Sequence, residues 1–415
     1  GASYTFNFEE GPLRRLPLVQ VSHKPDRYPN PEGVELVSFQ EPRNLRIGQF
    51  AQDLAVELLE FLRQRYDLIL PAPRIVFLQS DAPVGDIRTV GQIVLIPEAY
   101  YRNPALVDRV FVAKLTVAIT QIWFGESVWS HRDRQSWLHL ALPGYISLDF
   151  FAYLYGEDAG IHNIADWLRP RYREHYFEAP VRRQMRQGHD LPLNASLLDS
   201  PRRQAVLIAL HYKGPLVVRS LAHVVGEPIF YKALGRFFNE HRFKMVSETT
   251  FRESLEASTG QDLLKYFEDW FRGTPRLDYR IGHWEETVLP DGQYRLEVEV
   301  LRRTPFDMPV DVQVATAQGE MRQKRWAGDQ ERVRMLFTLP APVAVIALDP
   351  HEALLELNRK DNYSVDHYRV RPVFDWAKQN EVLIALRGRL GGNAIDGNYG
   401  GVGVDIALDE NNHIE

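Results

Sequence analysis

The sequence predicts an α+β chain of several domains, in which a body of mixed sheet and helices gives way to a β-rich end. Three observations lead there. The chain has 415 residues, more than one small core ordinarily organises. Apolar residues repeat at helical spacing from Ile47, and near residue 276 the pattern changes to strand alternation. The last fifty residues are rich in glycine and alternate as strands do. The expected boundaries are 1–46, a β-rich N-terminal segment; 47–275, the mixed domain; 276–362, a β-sandwich; and 363–415, a Gly-rich β-hairpin tail that stops inside a larger domain.

Each element has a local reason. Residues 1–46 are rich in proline, and the runs 18–21 and 34–37 alternate as strands. Phe50, Leu54, Leu58, Phe61 and Leu62 form one helical stripe ending near Tyr66. Strands follow at 74–78 and 93–96, separated by a loop with Pro83 and Gly85. Asn103 and Pro104 form a helix start, and that helix is expected to end at Gly125. Residues 137–160 read as helix broken at Pro143 and Gly144. Three helical patterns cover about 204–225, 227–241 and 250–272, the last opened by a capping box of Thr250 and Glu253, interrupted by Gly260 and closed by Gly273. Strands are expected at 295–302, 310–316, 332–339 and 343–348, with a turn at Pro290, Asp291 and Gly292, and a final hairpin pairs 382–386 with 402–408.

Composition narrows the function classes. Hydrophobic residues make up 45% and charged residues 25%, which excludes a disordered or collagen-like chain. A net charge of −6 gives no reason to expect a nucleic acid or an anionic membrane as partner. The chain has no cysteine, so disulfides, thiolate metal sites and a cysteine nucleophile are excluded. No apolar stretch is expected to reach the ~20 residues that span a bilayer, and the candidate 110–123 carries Lys114 inside it. The start at Gly1, Ala2 and Ser3 reads as a processed or tag-derived end. The stretch 169–203 holds eight arginines against Glu174, Glu178, Asp190 and Asp199, a candidate polyanion surface whose alternative is a solvated, salt-bridged insertion.

Two segments resemble the aminopeptidase N (membrane alanyl aminopeptidase) family of gluzincin zinc peptidases. One comprises Tyr212, Lys213 and Gly214, followed by Gly260, Asp262 and Leu263, and then Trp270, Phe271, Gly273 and Pro275. The other runs from Val117 through Gln121, Trp123, Phe124 and Gly125 to Trp137 and Leu138, and is similar to the family's His-Glu-x-x-His-x-Trp-Phe-Gly zinc motif. The likeness covers roughly 45–360 and implies a thermolysin-like domain followed by a β-sandwich.

The resemblance also implies a site, and the chemistry that site needs is missing. A zinc peptidase needs two histidines one helical turn apart, a third carboxylate ligand and a glutamate base. The first-ligand position is Val117, the base Ala118 and the second ligand Gln121; the family's spacing then leads to Leu140. The loop whose glutamate binds the substrate's amino group corresponds to Gly85 through Arg88, which puts a cation there. Tyr212 holds the position of the oxyanion-stabilising tyrosine, its alternative being a helix-packing tyrosine. No relocated site is expected from His131, His139 or the His351–Glu352 pair, and neither a metal nor another cofactor is expected.

The reading is a catalytically inactive, aminopeptidase-like pseudopeptidase, not an enzyme, that serves as a binding or scaffold subunit. The alternative is a hydrolase with different chemistry in the same cleft, using Tyr212, Arg88 or His139. The expected partner is another protein chain, met through the β tail, with no nucleic acid and with membrane association only through a partner or a missing segment. Either the family's N-terminal domain has been lost or the chain is a fragment. The resemblance, which extends to bacterial relatives, implies an exported location, periplasmic or at the cell surface, with the cytoplasm as the alternative.

Overall fold

The computed structural model describes residues 25–29, 33–81, 86–102, 109–131, 136–160, 171–365, 367–370, 381–393, 397–409 and 412–414. The expected strand at 18–21, the helix start at Asn103 and Pro104, and the loop containing Pro83 and Gly85 lie outside these residues. The chain divides into two compact units: Gly1–His162 with Asp190–Gly273, and Asn163–His189 with Thr274–Glu415.

The first unit contains a five-stranded mixed sheet. Its strands are β1 (Asp26–Pro29), β2 (Glu35–Phe39), β3 (Arg74–Ser80), β4 (Arg88–Val90) and β5 (Ile93–Pro97), in the order β1-β2-β3-β5-β4. β2, β3 and β5 run parallel, while β1 and β4 pair antiparallel at the two edges. Parallel strands need both faces covered, and Val37, Phe39, Val76 and Ile93 accordingly form a buried cluster.

α1 (Leu45–Tyr66) buries Leu54, Leu58, Phe61 and Leu62 as the stripe predicts, but Phe50 at its N-terminal end remains exposed. Asp67, in the left-handed region at φ 56°, ends the helix. α2 (Glu98–Arg102) and α3 (Arg109–Thr120) follow β5.

α4 (Trp137–Tyr155) runs straight through Pro143, where the sequence led us to expect a break. Tertiary burial overrides the missing proline donor, since every residue from Ala141 to Leu148 is buried. Gly144 makes this packing possible: a Cβ there would lie 2.5 Å from the Pro215 Cγ.

The predicted helix at 204–225 is observed as α6 (Arg203–Ile208), a π-helical turn (Ala209–Lys213) and α7 (Gly214–Val225). This is also the one run among the described residues long and apolar enough to cross a membrane by length and composition, which corrects the expectation that none is. Its most apolar window is 72% buried within the protein, as in a core helix.

α8 (Glu227–His241) and α9 (Glu248–Thr259) complete the helical layer, followed by α10 (Leu264–Phe267) and a second π turn at Glu268–Arg272. The capping box of α9 is Ser247 with Thr250, not Thr250 with Glu253. The helix begins two residues earlier than expected, so extended Ser247 accepts the Thr250 N–H at 3.2 Å. β6 (Trp129–Ser130) and β7 (Met245–Val246) pair in a short parallel ribbon.

The second unit contains two three-stranded antiparallel sheets. One has the order β12 (Arg332–Leu339), β9 (Tyr294–Arg302), β8 (Tyr279–Val288); the other has the order β11 (Met321–Trp326), β10 (Val310–Thr316), β13 (Val343–Leu348). Leu296, Val298 and Val300 of β9 and Val310, Val312 and Val314 of β10 are fully buried. β8 and β11 were not foreseen, because their mostly exposed, charged faces carry no apolar alternation. A third sheet in this unit comprises β14 (His367–Val370), β15 (Glu381–Asn393), β16 (Gly397–Asp409) and β17 (Asn412–Ile414), in which β15 and β16 form a longer hairpin than expected. A π turn (Arg173–Glu178) and α5 (Ala179–Arg186) also belong to this unit, although they precede α6 in sequence.

Candidate functional site

Within the first unit, β4, α3, the start of α4 and the Ala209–Lys213 π turn carry Arg88, Val117, Ala118, Leu140 and Tyr212. α3 carries half-buried Val117 and buried Ala118 one turn beyond Lys114, and Gln121 follows in the turn after the helix. The Thr89 hydroxyl of β4 donates to the Ala118 carbonyl, which fixes the edge strand against this helix. Arg88, its neighbour on β4, is exposed.

The Gln121 amide reaches the His139 carbonyl on α4 at 3.5 Å, next to half-buried Leu140. The π turn that carries Tyr212 meets α4 one residue further on. A Cβ on Gly214 would stand 2.7 Å from that of Ala141, so only glycine permits so close an approach. Val117, Ala118, Gln121, Leu140 and Tyr212 therefore sit on elements that touch, whereas His131 is an exposed loop residue beyond Ser130. His351 and Glu352 belong to the other unit.

Three features were not assigned from sequence. Asp86 and Lys114 form an ion pair at 3.1 Å, exposed enough to be screened by water. Lys114 had a legible signal, a lone charge in an apolar helix. His211 precedes Tyr212 on the π turn. Desolvation lowers its pKa against the opposing pull of Asp86. Ser130 is fully buried, with its Oγ 2.8 Å from His139 Nε2. Among the described residues, no three His, Asp or Glu side chains converge in an arrangement able to hold a metal ion.

No protein-family model matches the chain. It is 19% identical over 268 residues to aminopeptidase 2 of Candida albicans, a match covering 60% of this chain and 26% of that protein. The fold is similar to that of Legionella pneumophila aminopeptidase A, solved in complex with aspartic acid. The TM-score is 0.59 at 14% identity, covering 80% of this chain and 37% of that one. The match thus spans 26% and 37% of the length of these two relatives. Both likenesses are to aminopeptidases, and the structural one shows a mixed α+β fold similar to that of an aminopeptidase. They also correct one expectation from sequence. The inference that the chain is not an enzyme conflicts with both likenesses, which are to aminopeptidases.

Proposed function

We propose that this chain is an aminopeptidase-like protein whose cleft, between β4, α3, α4 and the first π turn, binds a peptide segment of a protein partner, as a binding or structural subunit of an assembly. The observation that carries the reading is the set of side chains in the cleft. Aligned with the gluzincin motif, the ligand and base positions fall on Val117, Ala118, Gln121 and Leu140. An isopropyl, a methyl, an isobutyl and one neutral carboxamide do not fit Zn²⁺, which needs imidazole, thiolate or carboxylate donors, so no step is drawn through a metal. Apolar groups around one amide suit a peptide backbone flanked by small side chains.

The finer fold reading belongs with this proposal: 47–275 as a thermolysin-like domain and 276–362 as a β-sandwich, supported by the buried valines of β9 and β10. A partner chain at the C-terminal sheet and an exported location complete it. The test is binding of a peptide library to the full chain, together with metal analysis. Leu140→Asp is expected to weaken binding at least tenfold with an unchanged melting temperature. Stoichiometric zinc retained through purification, or binding indifferent to Leu140→Asp, overturns the proposal.

A second reading, hydrolysis in this cleft without zinc, is favoured by the Ser130–His139 contact, since a hydroxyl held by an imidazole is the pair that acyl transfer uses. It is supported further by the likeness to aminopeptidases. Turnover of aminoacyl fluorogenic substrates that is lost in both Ser130→Ala and Tyr212→Phe is its expected signature. Turnover that survives both substitutions removes it.

A further inference from the structure

Part of the arginine-rich stretch, read from sequence as a polyanion surface or a solvated, salt-bridged insertion, is drawn into ion pairs within the second unit: Arg171, Arg173 and Arg182 are paired there, while Arg183, Arg202 and Arg203 are exposed. Glu178 lies at the centre. One of its oxygens accepts from Arg173, and the other accepts from Arg182 Nη1 at 2.7 Å and Arg359 Nη1 at 3.1 Å. Arg173 continues to Glu352, reaching its carboxylate at 2.6 Å and its carbonyl at 3.0 Å. Glu178, Arg182, Glu352 and Arg359 are all buried.

The cluster joins two segments far apart in sequence, and both have unusual backbones. Arg173–Glu178 is a π turn, a geometry often found at functional positions. Opposite it, Asp349 and Glu352 adopt φ of 45° and 50°, in the left-handed region that non-glycine residues seldom occupy. Asp349 holds that turn by accepting the N–H groups of Ala353 and Leu354 at 2.9 and 2.8 Å.

We propose that segment 171–187 is a proton-dependent strap, latched to the strand-rich unit through the buried cluster of Arg173, Glu178, Arg182, Glu352 and Arg359 and released as that cluster gains negative charge. The inference stands apart from the cleft of the first unit and from its proposed function.

Two further carboxyls decide the charge balance. Glu174, on the strap, faces the carboxylates of Glu352 and Glu178 and the guanidinium groups of Arg171 and Arg173. Burial, reinforced by those two carboxylates, raises its pKa to about 8. Glu356 faces Arg359 and Asp349, and accepts from the Tyr279 backbone N–H and from Asn362 Nδ2. Burial raises its pKa to about 8 as well. The Tyr363 phenol, beside Glu352, Arg359, Asp349 and Arg171, is raised to about 12 and stays neutral throughout.

The direction follows from linkage. Both carboxyls bind their protons more tightly in the latched state than when exposed. The latch is therefore fully present below the ordinary glutamate range, weakens as pH rises, and has lost this contribution above about 8.

Hydrogen–deuterium exchange of the full chain at about pH 6 and about pH 9, corrected for intrinsic rates, tests this. The opening constant of peptides within 173–186 is expected to rise at least about tenfold, while β9 stays protected. Glu174→Gln and Glu356→Gln, which mimic the protonated carboxyls, are each expected to reduce the rise and together to abolish it. Equal protection of the strap at both pH values, opening of β9 in step with it, or an undiminished rise in the double variant overturns the proposal. If the variants fail to fold, the wild-type comparison of strap and β9 decides alone.

Discussion

Lys213 offers the sharpest test of how the cleft is held. It follows Tyr212 on the π turn, is fully buried, and donates from Nζ to Asp190 Oδ2 at 2.8 Å, Asp190 Oδ1 at 3.0 Å and the Leu191 carbonyl at 3.0 Å. All three ammonium protons are therefore used, and the ring of Trp270 lies 5.8 Å away. Burial lowers the lysine pKa and Asp190 opposes that shift, so the charge depends on its partner.

Lys213→Met keeps the length and packing of the stem but strands the Asp190 carboxylate, whose side chain is only 11% exposed. Removing one partner from such a pair costs ~3–5 kcal/mol. Because Asp190 keeps some access to water, a loss of about 3 kcal/mol is expected. Adding Asp190→Asn removes the stranded charge and is expected to restore about 1–2 kcal/mol. Urea unfolding of the wild type, both single variants and the double variant, followed by near-UV circular dichroism, measures the cycle. A Lys213→Met protein within about 1 kcal/mol of wild type, or a double variant weaker than Lys213→Met alone, refutes the reasoning.

Two other expectations rest on equally local geometry. Gly235→Ala places a Cβ 1.9 Å from the Tyr66 carbonyl oxygen, where α8 crosses the end of α1. The helix-propensity gain of ~1 kcal/mol is outweighed by displaced backbone, so a net loss of about 2 kcal/mol is expected, and an unchanged or raised melting temperature contradicts it. Asp149 pairs with Arg65 at 2.6 Å and accepts the Tyr66 hydroxyl at 2.5 Å, yet burial outweighs both and raises its pKa to about 6. Folding thus favours its protonated form, and this stability, present below the ordinary aspartate range, is lost as pH rises through 6. The stability of wild type relative to Asp149→Asn is expected to fall by about 2 kcal/mol between pH 4 and pH 7, and a flat difference refutes the assignment.

The cleft is where sequence reasoning reached furthest and where it stopped. Val117, Ala118 and Gln121 could be placed together because a helix puts residues three and four apart on one face. That the elements carrying Leu140 and Tyr212 pack together with α3 was implied only by resemblance. The contact itself depends on Gly214 meeting Ala141 and on Gly144 meeting Pro215, close approaches between helices distant in sequence. The Ser130–His139 contact left no periodic signal, since nothing in a two-residue strand shows which imidazole its hydroxyl will meet.

The same division runs through the whole chain. Periodicity and punctuation sufficed for α1, β3, β5, α8, β9 and β10, because their patterns come from their own residues facing a core. The absence of cysteine is likewise a property of the linear chain. Three-dimensional packing alone carried α4 through Pro143, divided the helix of 203–225 with a π turn, and drew Arg173 and Arg182 into a buried ion cluster. In each case the energy comes from contacts with residues far along the chain. Burial and desolvation at those contacts outweigh local preference by amounts that no short window of sequence contains.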